Sequence, residues 1–388
     1  MDGYVSSGFE PVAAAFQRNF DELGDLGAAV CIYRDGERVV DLWGGVADPK
    51  TARAYGADTL QLVFSTTKGV TALCAHMLVQ DGMLDLDAPV SYYWPEFAAA
   101  GKQHVSMRWL MSHQAGLPTI DGELALDEVL RWDPVVQALA AQAPFWEPGS
   151  AHGYHALTFG WLVGEVIRRV TGSSVGAMVA ERIAGPLSLD LWIGLPEEHE
   201  PRVAPLRTGP LPSFDDLDPD TLQALTTMLG SDGLALRALT LNGAFGIFGK
   251  RGGPFNSREV HAAEVPAANC ITDARSLARM YAATIGTVDG VRLLAPEVLD
   301  EARREVVGGP DRVLVAPTSF GLGFMCHSAF SPLLGPGSFG HSGAGGSLGF
   351  ADPDSGVAFA YVMNQMRLGL GGDERTASLV EALRASLS

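Results

Sequence analysis

Strand signals lie at the two ends of this 388-residue chain and helical periodicity fills its middle, which narrows the fold more than any other feature. Near the start, Ala29–Tyr33 and Arg38–Trp43 are β-rich runs separated by Arg34-Asp35-Gly36-Glu37. Asp-Gly between two such runs is a strong hairpin signal. Near the end, Ser319–Met325, Ser347–Ala351 and Val357–Met363 read as strands, the last two joined by the turn Asp352-Pro353-Asp354-Ser355-Gly356. Residues 8–23 predict an amphipathic helix carrying Phe9, Val12, Ala13, Phe16 and Phe20 on one face, and Glu374–Leu387 predicts a closing one. From about Leu86 to Pro186 the pattern is mainly helical, with helices over Arg108–His113, Thr158–Thr171 and Val175–Ile183, and helix returns at Ala274–Ala283. The expected class is therefore α+β, an α/β sandwich. Its antiparallel sheet comes from both chain ends, is flanked by helices, and accepts a helical insert. Residues 1–85 and 269–388 would form the discontinuous sheet domain and 86–268 the insert, with the site at the seam. Within the insert, 201–268 is rich in Pro, Gly and Asp, with a helical patch near Thr221–Leu229. It reads as a long excursion of the kind that covers a site and sets specificity.

The chemistry starts at Leu62-Val63-Phe64-Ser65-Thr66-Thr67-Lys68-Gly69-Val70. Val70, Leu73, Cys74, Met77 and Leu78 then recur at helical spacing with one buried stripe, and Asp81-Gly82 ends the helix. Ser65 falls in the first turn, where its N–H has no helical acceptor, and Lys68 lies one turn on along the same face. An amine there can lower a neighbouring pKa or, if burial depresses its own, take a proton. On spacing alone, a serine cap beside a solvated lysine fits as well. Context favours chemistry, because the chain has only four lysines (Lys50, Lys68, Lys102 and Lys250) and one stands in this apolar segment.

Two later stretches could complete such a site. Tyr154 follows a Pro-Gly turn just before the Thr158 helix, where a phenol can project into a cleft. A lysine neighbour can lower its pKa enough to make it a base, although a buried structural tyrosine is the commoner use. Ser338-Phe339-Gly340-His341-Ser342-Gly343-Ala344-Gly345-Gly346-Ser347-Leu348-Gly349-Phe350 is dense in glycine for a strand, so another backbone or a ligand can approach closely. The Ala344 N–H could join that of Ser65 as an oxyanion hole, and His341 could hydrogen-bond Tyr154 or the substrate.

With these elements in order, the chain resembles the serine β-lactamase and DD-peptidase superfamily over nearly its whole length, and most of all the family VIII carboxylesterases. Ser65-Thr66-Thr67-Lys68 resembles the nucleophile motif, and Asp81-Gly82-Met83-Leu84-Asp85-Leu86-Asp87-Ala88-Pro89-Val90 the segment after that helix. Leu110-Met111-Ser112-His113-Gln114-Ala115-Gly116-Leu117-Pro118 matches a further family segment. Tyr154-His155-Ala156 falls at the Tyr-x-Asn position and His341-Ser342-Gly343 at Lys-Thr-Gly. The resemblance implies Ser65 as nucleophile, Lys68 and Tyr154 as the shared general base, the Ser65 and Ala344 amides for the oxyanion, and His341, Ser342 and Gly343 beside the substrate. The asparagine amide and the lysine that hold a β-lactam are both replaced, so carboxylic esters are the expected substrates. A β-lactamase, a D-amino-acid peptidase or amidase, an acyltransferase, or a slowly acylating penicillin-binding-like sensor would use the same machinery.

Other signals carry less. Gly172-Ser173-Ser174-Val175-Gly176 and Gly345-Gly346-Ser347-Leu348-Gly349 match G-x-S-x-G, but neither lies on a strand-turn-helix elbow. His152-x-x-His155 lacks a third ligand at metal spacing, Gly249-Lys250 lacks a P-loop's flanking residues, and no metal or cofactor is expected. A net charge of −18 argues against nucleic acid or anionic membrane as partner. Cys31, Cys74, Cys270 and Cys326 show no pairing pattern, and no export signal or spanning segment is visible, so the expected location is cytoplasmic. The expected partner is a small-molecule ester, and homo-oligomerisation is left open.

Overall fold

The computed structural model describes residues 1–209, 233–246, 253–367 and 369–388. Among these residues the main sheet has ten strands, drawn from the two ends of the chain. They are β1 (Asp2–Val5), β2 (Gly27–Arg34), β3 (Glu37–Asp48), β4 (Val307–Pro310), β5 (Pro317–Phe320), β6 (Met325–Cys326), β7 (Phe339–Ser342), β8 (Leu348–Asp352) and β9 (Val357–Met363), with Arg53–Ala54 paired on β3. The order across the sheet is β1-β3-β2-β9-β8-β7-β6-β5-β4. The two chain ends join where β2 pairs antiparallel with β9, Val30 opposite Tyr361 and Ile32 opposite Phe359.

Alternation along these strands builds two layers. The helices that matter are α1 (Glu10–Asp21), α2 (Thr67–Gln80), α3 (Thr158–Thr171), α4 (Ala274–Ile285) and α5 (Glu374–Ser386). Val30, Ile32, Phe359 and Tyr361 face one side and pack with Val12 and Phe16 of α1 and Leu379 and Leu383 of α5. Ala29, Cys31, Ala358 and Ala360 face the other side and pack with Leu277 and Tyr281 of α4. Small residues on that face let α4 come close, and a Cβ on Gly349 would lie 2.8 Å from the Tyr281 ring. The same apolar core continues through α2 into α3 and the shorter helices around it.

Several expectations change in detail. α2 is buried all round from Thr67 to Leu78 rather than along one stripe, because it runs between the sheet layer and the helical layer. Its polar side chains are satisfied internally: Thr71 donates to the Pro266 carbonyl at 2.6 Å, and a His76 ring nitrogen lies 2.8 Å from the Leu322 carbonyl. Ser319–Met325 is not one strand. It is β5 and β6 joined by a turn in which Gly323, at φ +83°, fits against Ala72 of α2. The glycine-dense stretch is likewise β7 and β8 with a tight turn between them. The 175–183 helix is α-helical to Val179 and continues as a π-helical turn over Ala180–Ala184. The 201–268 excursion holds helices at Leu234–Thr240 and Arg258–Ala262, while the Thr221–Leu229 patch and Gly249-Lys250 lie outside the described residues. The four cysteines are free and buried. No helix among the described residues is long and apolar enough to cross a membrane.

Candidate active site

Ser65 sits in a 3₁₀ turn, Phe64–Thr66, that runs straight into α2. The turn is held tightly. Thr67 Oγ1 donates to the Phe64 carbonyl at 2.5 Å and accepts from Cys270 N at 2.9 Å. Phe64 takes φ +47°, a left-handed conformation that costs a bulky residue about 1–3 kcal/mol. Its ring is buried against Phe255, with centroids 5.0 Å apart, and that packing holds the conformation. Ser65, one residue on, is only half-buried and so reachable.

Lys68 is fully buried on α2, with Nζ 3.1 Å from Ser65 Oγ, 2.6 Å from the Ala156 carbonyl and 3.1 Å from the Ala267 carbonyl. Burial holds its pKa well below the usual lysine range. The partner set agrees with a neutral amine. None of the three partners is a carboxylate, and once deprotonated the amine can give two N–H groups to the two carbonyls and keep a lone pair toward the Ser65 hydroxyl.

Tyr154 is buried, its ring centroid 4.7 Å from Lys68 Nζ, and its phenol is near enough to the Ser65 side chain for that hydroxyl to offset part of the effect of burial. Its pKa moves opposite to the expectation. Burial raises it above the ordinary tyrosine value, and an uncharged Lys68 offers no compensating cation. Tyr154 is thus a phenol here. Its backbone N–H donates to Asp311 Oδ1 at 3.1 Å, and the same oxygen takes Val313 N and Leu314 N, each at 2.8 Å. Phe320 stacks on the phenol with centroids 6.0 Å apart, and His113 packs beside it at 5.1 Å.

The turn between β7 and β8 supplies the third part. Gly343 N donates to the Ser347 carbonyl at 2.7 Å, Gly346 N to the Gly343 carbonyl at 3.1 Å, and Gly345 N to the Gly369 carbonyl at 3.4 Å. Ala344 N is the one amide of this turn with no acceptor among the described residues, and Ser65 N likewise has none. The two segments touch: Ser347 Oγ donates to the Val63 carbonyl at 2.8 Å and lies 3.2 Å from Thr66 Oγ1. Gly343 is obligatory, since a Cβ there would lie 2.1 Å from the Val63 carbonyl.

His341 does not hydrogen-bond Tyr154. The rings are 6.0 Å apart, and His341 Nδ1 lies 2.7 Å from the Ser342 carbonyl, to which it can only donate. Its Nε2 is then an unprotonated acceptor, buried and without a partner among the described residues. Burial lowers the His341 pKa to about 3, so the ring stays neutral. Ser342 Oγ turns away to donate to the Leu370 carbonyl at 2.7 Å.

The competing serines are structural. Ser174 caps the helix Val175–Val179 and donates to Glu264 at 2.5 Å, and Ser347 is the linker just described. His155 Nε2 accepts from Leu117 N at 2.9 Å, and His152 bonds Thr318 at 2.9 Å. Among the described residues no group of three or more His, Cys, Asp or Glu side chains is placed to hold a metal ion. Asp311 and His113 escape a sequence reading as site residues. Asp311 acts through a main-chain amide, which leaves no motif, and His113 lay inside a family-like segment without a role of its own.

A family model described as Beta-lactamase matches residues 16–383. The esterase/beta-lactamase LipL of Mycobacterium tuberculosis (strain ATCC 25618 / H37Rv) is 38% identical over 374 residues, 94% of this chain and 83% of that protein. A crystal structure of a family VIII carboxylesterase matches with a TM-score of 0.88 at 37% identity, covering 99% of each chain. A penicillin-binding protein homologue from Caulobacter crescentus reaches 0.87 at 40% identity, again over 99% of each chain. Matches of this extent, on a chain whose helix entry sets Ser65 beside Lys68, settle its kinship: it is a serine hydrolase of the beta-lactamase family.

Proposed function

We propose that the chain is a carboxylesterase working through an acyl-enzyme on Ser65. The observation that carries the reading is the neutral partner set of Lys68, two carbonyls and the Ser65 hydroxyl, which leaves the amine able to accept. Ser65 attacks the ester carbonyl as its proton passes to Lys68, and the Ser65 and Ala344 amides receive the oxyanion. Tyr154 protonates the departing alkoxide and recovers a proton from the Lys68 ammonium, so the base is restored in the acyl-enzyme. Water then repeats the sequence in reverse and releases the acid.

The substrate class follows from charge. The position where β-lactamases carry a lysine holds a neutral imidazole, and Ala156 has no side-chain amide where they carry an asparagine. Both changes weaken the hold on an anionic lactam and leave acyl transfer intact. Small uncharged esters fit this site, and the related proteins named as an esterase/beta-lactamase and a family VIII carboxylesterase agree with that choice. p-Nitrophenyl acetate and butyrate should be cleaved faster than nitrocefin, and Ser65→Ala should remove nearly all of that activity. Retention of activity in Ser65→Ala, with loss in Ser174→Ala or Ser347→Ala, overturns the assignment. Nitrocefin outpacing every ester in a panel would turn the reading to a β-lactamase.

A further inference from the structure

We propose that Arg375 is a positioning residue for the oxyanion amide of Ala344, acting through the neighbouring Gly345 carbonyl. The inference rests on the acyl-enzyme reading above. The turn over 343–346 has three glycines, with Gly345 at φ +89° and Gly346 at φ +122°. Such a backbone has no side chains of its own to lock it and gains the most freedom from glycine. Its shape is imposed from outside. Arg375 Nη2 donates to the Gly345 carbonyl at 2.7 Å, and Arg367 N donates to the same oxygen at 3.1 Å.

The guanidinium lies against the turn itself, since a Cβ on Gly346 would sit 2.5 Å from Nη2. Its other arm is anchored in the sheet layer. Nη1 donates to Asp25 at 2.9 Å and to the Gln365 carbonyl at 2.8 Å. Tyr361 of β9 donates to the same Asp25 carboxylate at 2.7 Å. Asp373, the cap of α5, takes Nε at 3.1 Å and Nη2 at 2.5 Å. The side chains of Arg375 and Asp25 are both fully buried. A buried ion pair repays its desolvation poorly as a stabiliser, and retention for a fixed geometry is the better-attested use. Here the geometry concerned is one planar fork with an arm on the sheet and an arm on the oxyanion turn.

Matched p-nitrophenyl oxo- and thionoesters test this. Hydrogen bonds from an oxyanion hole favour oxygen over the larger, weaker acceptor sulfur, so the oxo-to-thiono rate ratio reports on the hole and not on global stability. Arg375→Lys keeps the charge and loses the fork. It should lower kcat for the oxoester by about 10–100-fold, up to the cost of a displaced group and below that of a donor lost outright, with KM within about twofold. The oxo-to-thiono ratio should fall about fivefold or more. Should that variant not fold, the double substitution Asp25→Asn with Arg375→Met removes the stranded carboxylate and should give the same fall. Tyr361→Phe touches Asp25 but not Gly345 and should keep the wild-type ratio. A wild-type ratio in folded Arg375 variants, with only the melting temperature lowered, overturns the proposal, as does an equal fall in Tyr361→Phe. A wild-type enzyme without oxoester preference instead overturns the oxyanion-hole reading beneath it.

Discussion

Among the described residues two lysines are fully buried, and their partners differ. Lys102 Nζ donates to three main-chain carbonyls, those of Ala99 at 2.8 Å, Ala140 at 3.1 Å and Gln142. Two of these lie at the C-terminal end of the helix Asp133–Ala141, where the helix dipole favours a cation. Three acceptors match the three N–H groups of an ammonium, and although burial lowers the Lys102 pKa to about 8, the group stays charged at neutral pH. Lys68 has two carbonyls and a hydroxyl, and burial takes its pKa much further down. Burial alone therefore does not separate the proposed base from a structural pin; the third partner is where the two lysines differ.

Replacing each lysine with methionine should separate the two roles most sharply. Lys68→Met should lower kcat/KM for p-nitrophenyl butyrate by about 10²–10⁴-fold, the range for removing a general base. Lys102→Met should leave ester cleavage within about threefold and lower unfolding stability by about 2–3 kcal/mol, since it strands buried carbonyls. Urea melts and steady-state kinetics on both variants read this out. Equal loss of activity in the two would break the comparison.

The next effect concerns what closes the third side of Lys68. The Tyr154 ring covers Nζ at 4.7 Å, and Tyr154 is held through its own amide by Asp311. Asp311→Ala frees that amide together with those of Val313 and Leu314. A shift of the phenol by a fraction of an ångström should cost about 10–100-fold in kcat. Asp311→Asn keeps an acceptor oxygen for the three amides and should recover most of it. If Asp311→Ala is as active as wild type at a temperature where it is folded, Tyr154 does not depend on this anchor.

How much of this was legible in the sequence depends on how far apart the interacting groups lie. Ser65 and Lys68 stand one helical turn apart, so their pairing follows from helix geometry alone, and the 158–171 helix has the bounds its apolar period and Gly172 indicate. Tyr154 and the glycine-dense stretch stand out as candidates by local features, a Pro-Gly turn before a helix and glycines within a strand signal, and their order then matches a family's. The grip on them did not stand out. Asp311 and Arg375 act on the Tyr154 amide and the Gly345 carbonyl, and a hydrogen bond to main chain places no demand on the residue type it reaches. The Tyr154 shift runs opposite to the sequence expectation for a related reason. It turns on whether Lys68 carries a charge, and that depends on burial by distant segments, including Ala156 and Ala267. The break of Ser319–Met325 at Gly321 and Gly323 did have a local signal in those two glycines.

Titration tests the assignment with the smallest effect. A base works only when deprotonated, so kcat/KM should fall as pH drops through the depressed pKa of Lys68, by no more than about tenfold per pH unit for one proton. The neighbouring imidazoles do not obscure this limb. His155 and His341, lowered by burial to about 3, remain neutral throughout a profile taken from pH 5 upward. Tyr154, whose pKa burial raises, remains protonated over the same acid range. Tyr154→Phe should accordingly lower the plateau while keeping a one-proton acid limb, because the limb belongs to the amine. Lys102→Met should leave both limb and plateau in place. If the limb disappears in Tyr154→Phe, the phenol is the titrating base, and the contrast between the two lysines no longer describes the chemistry.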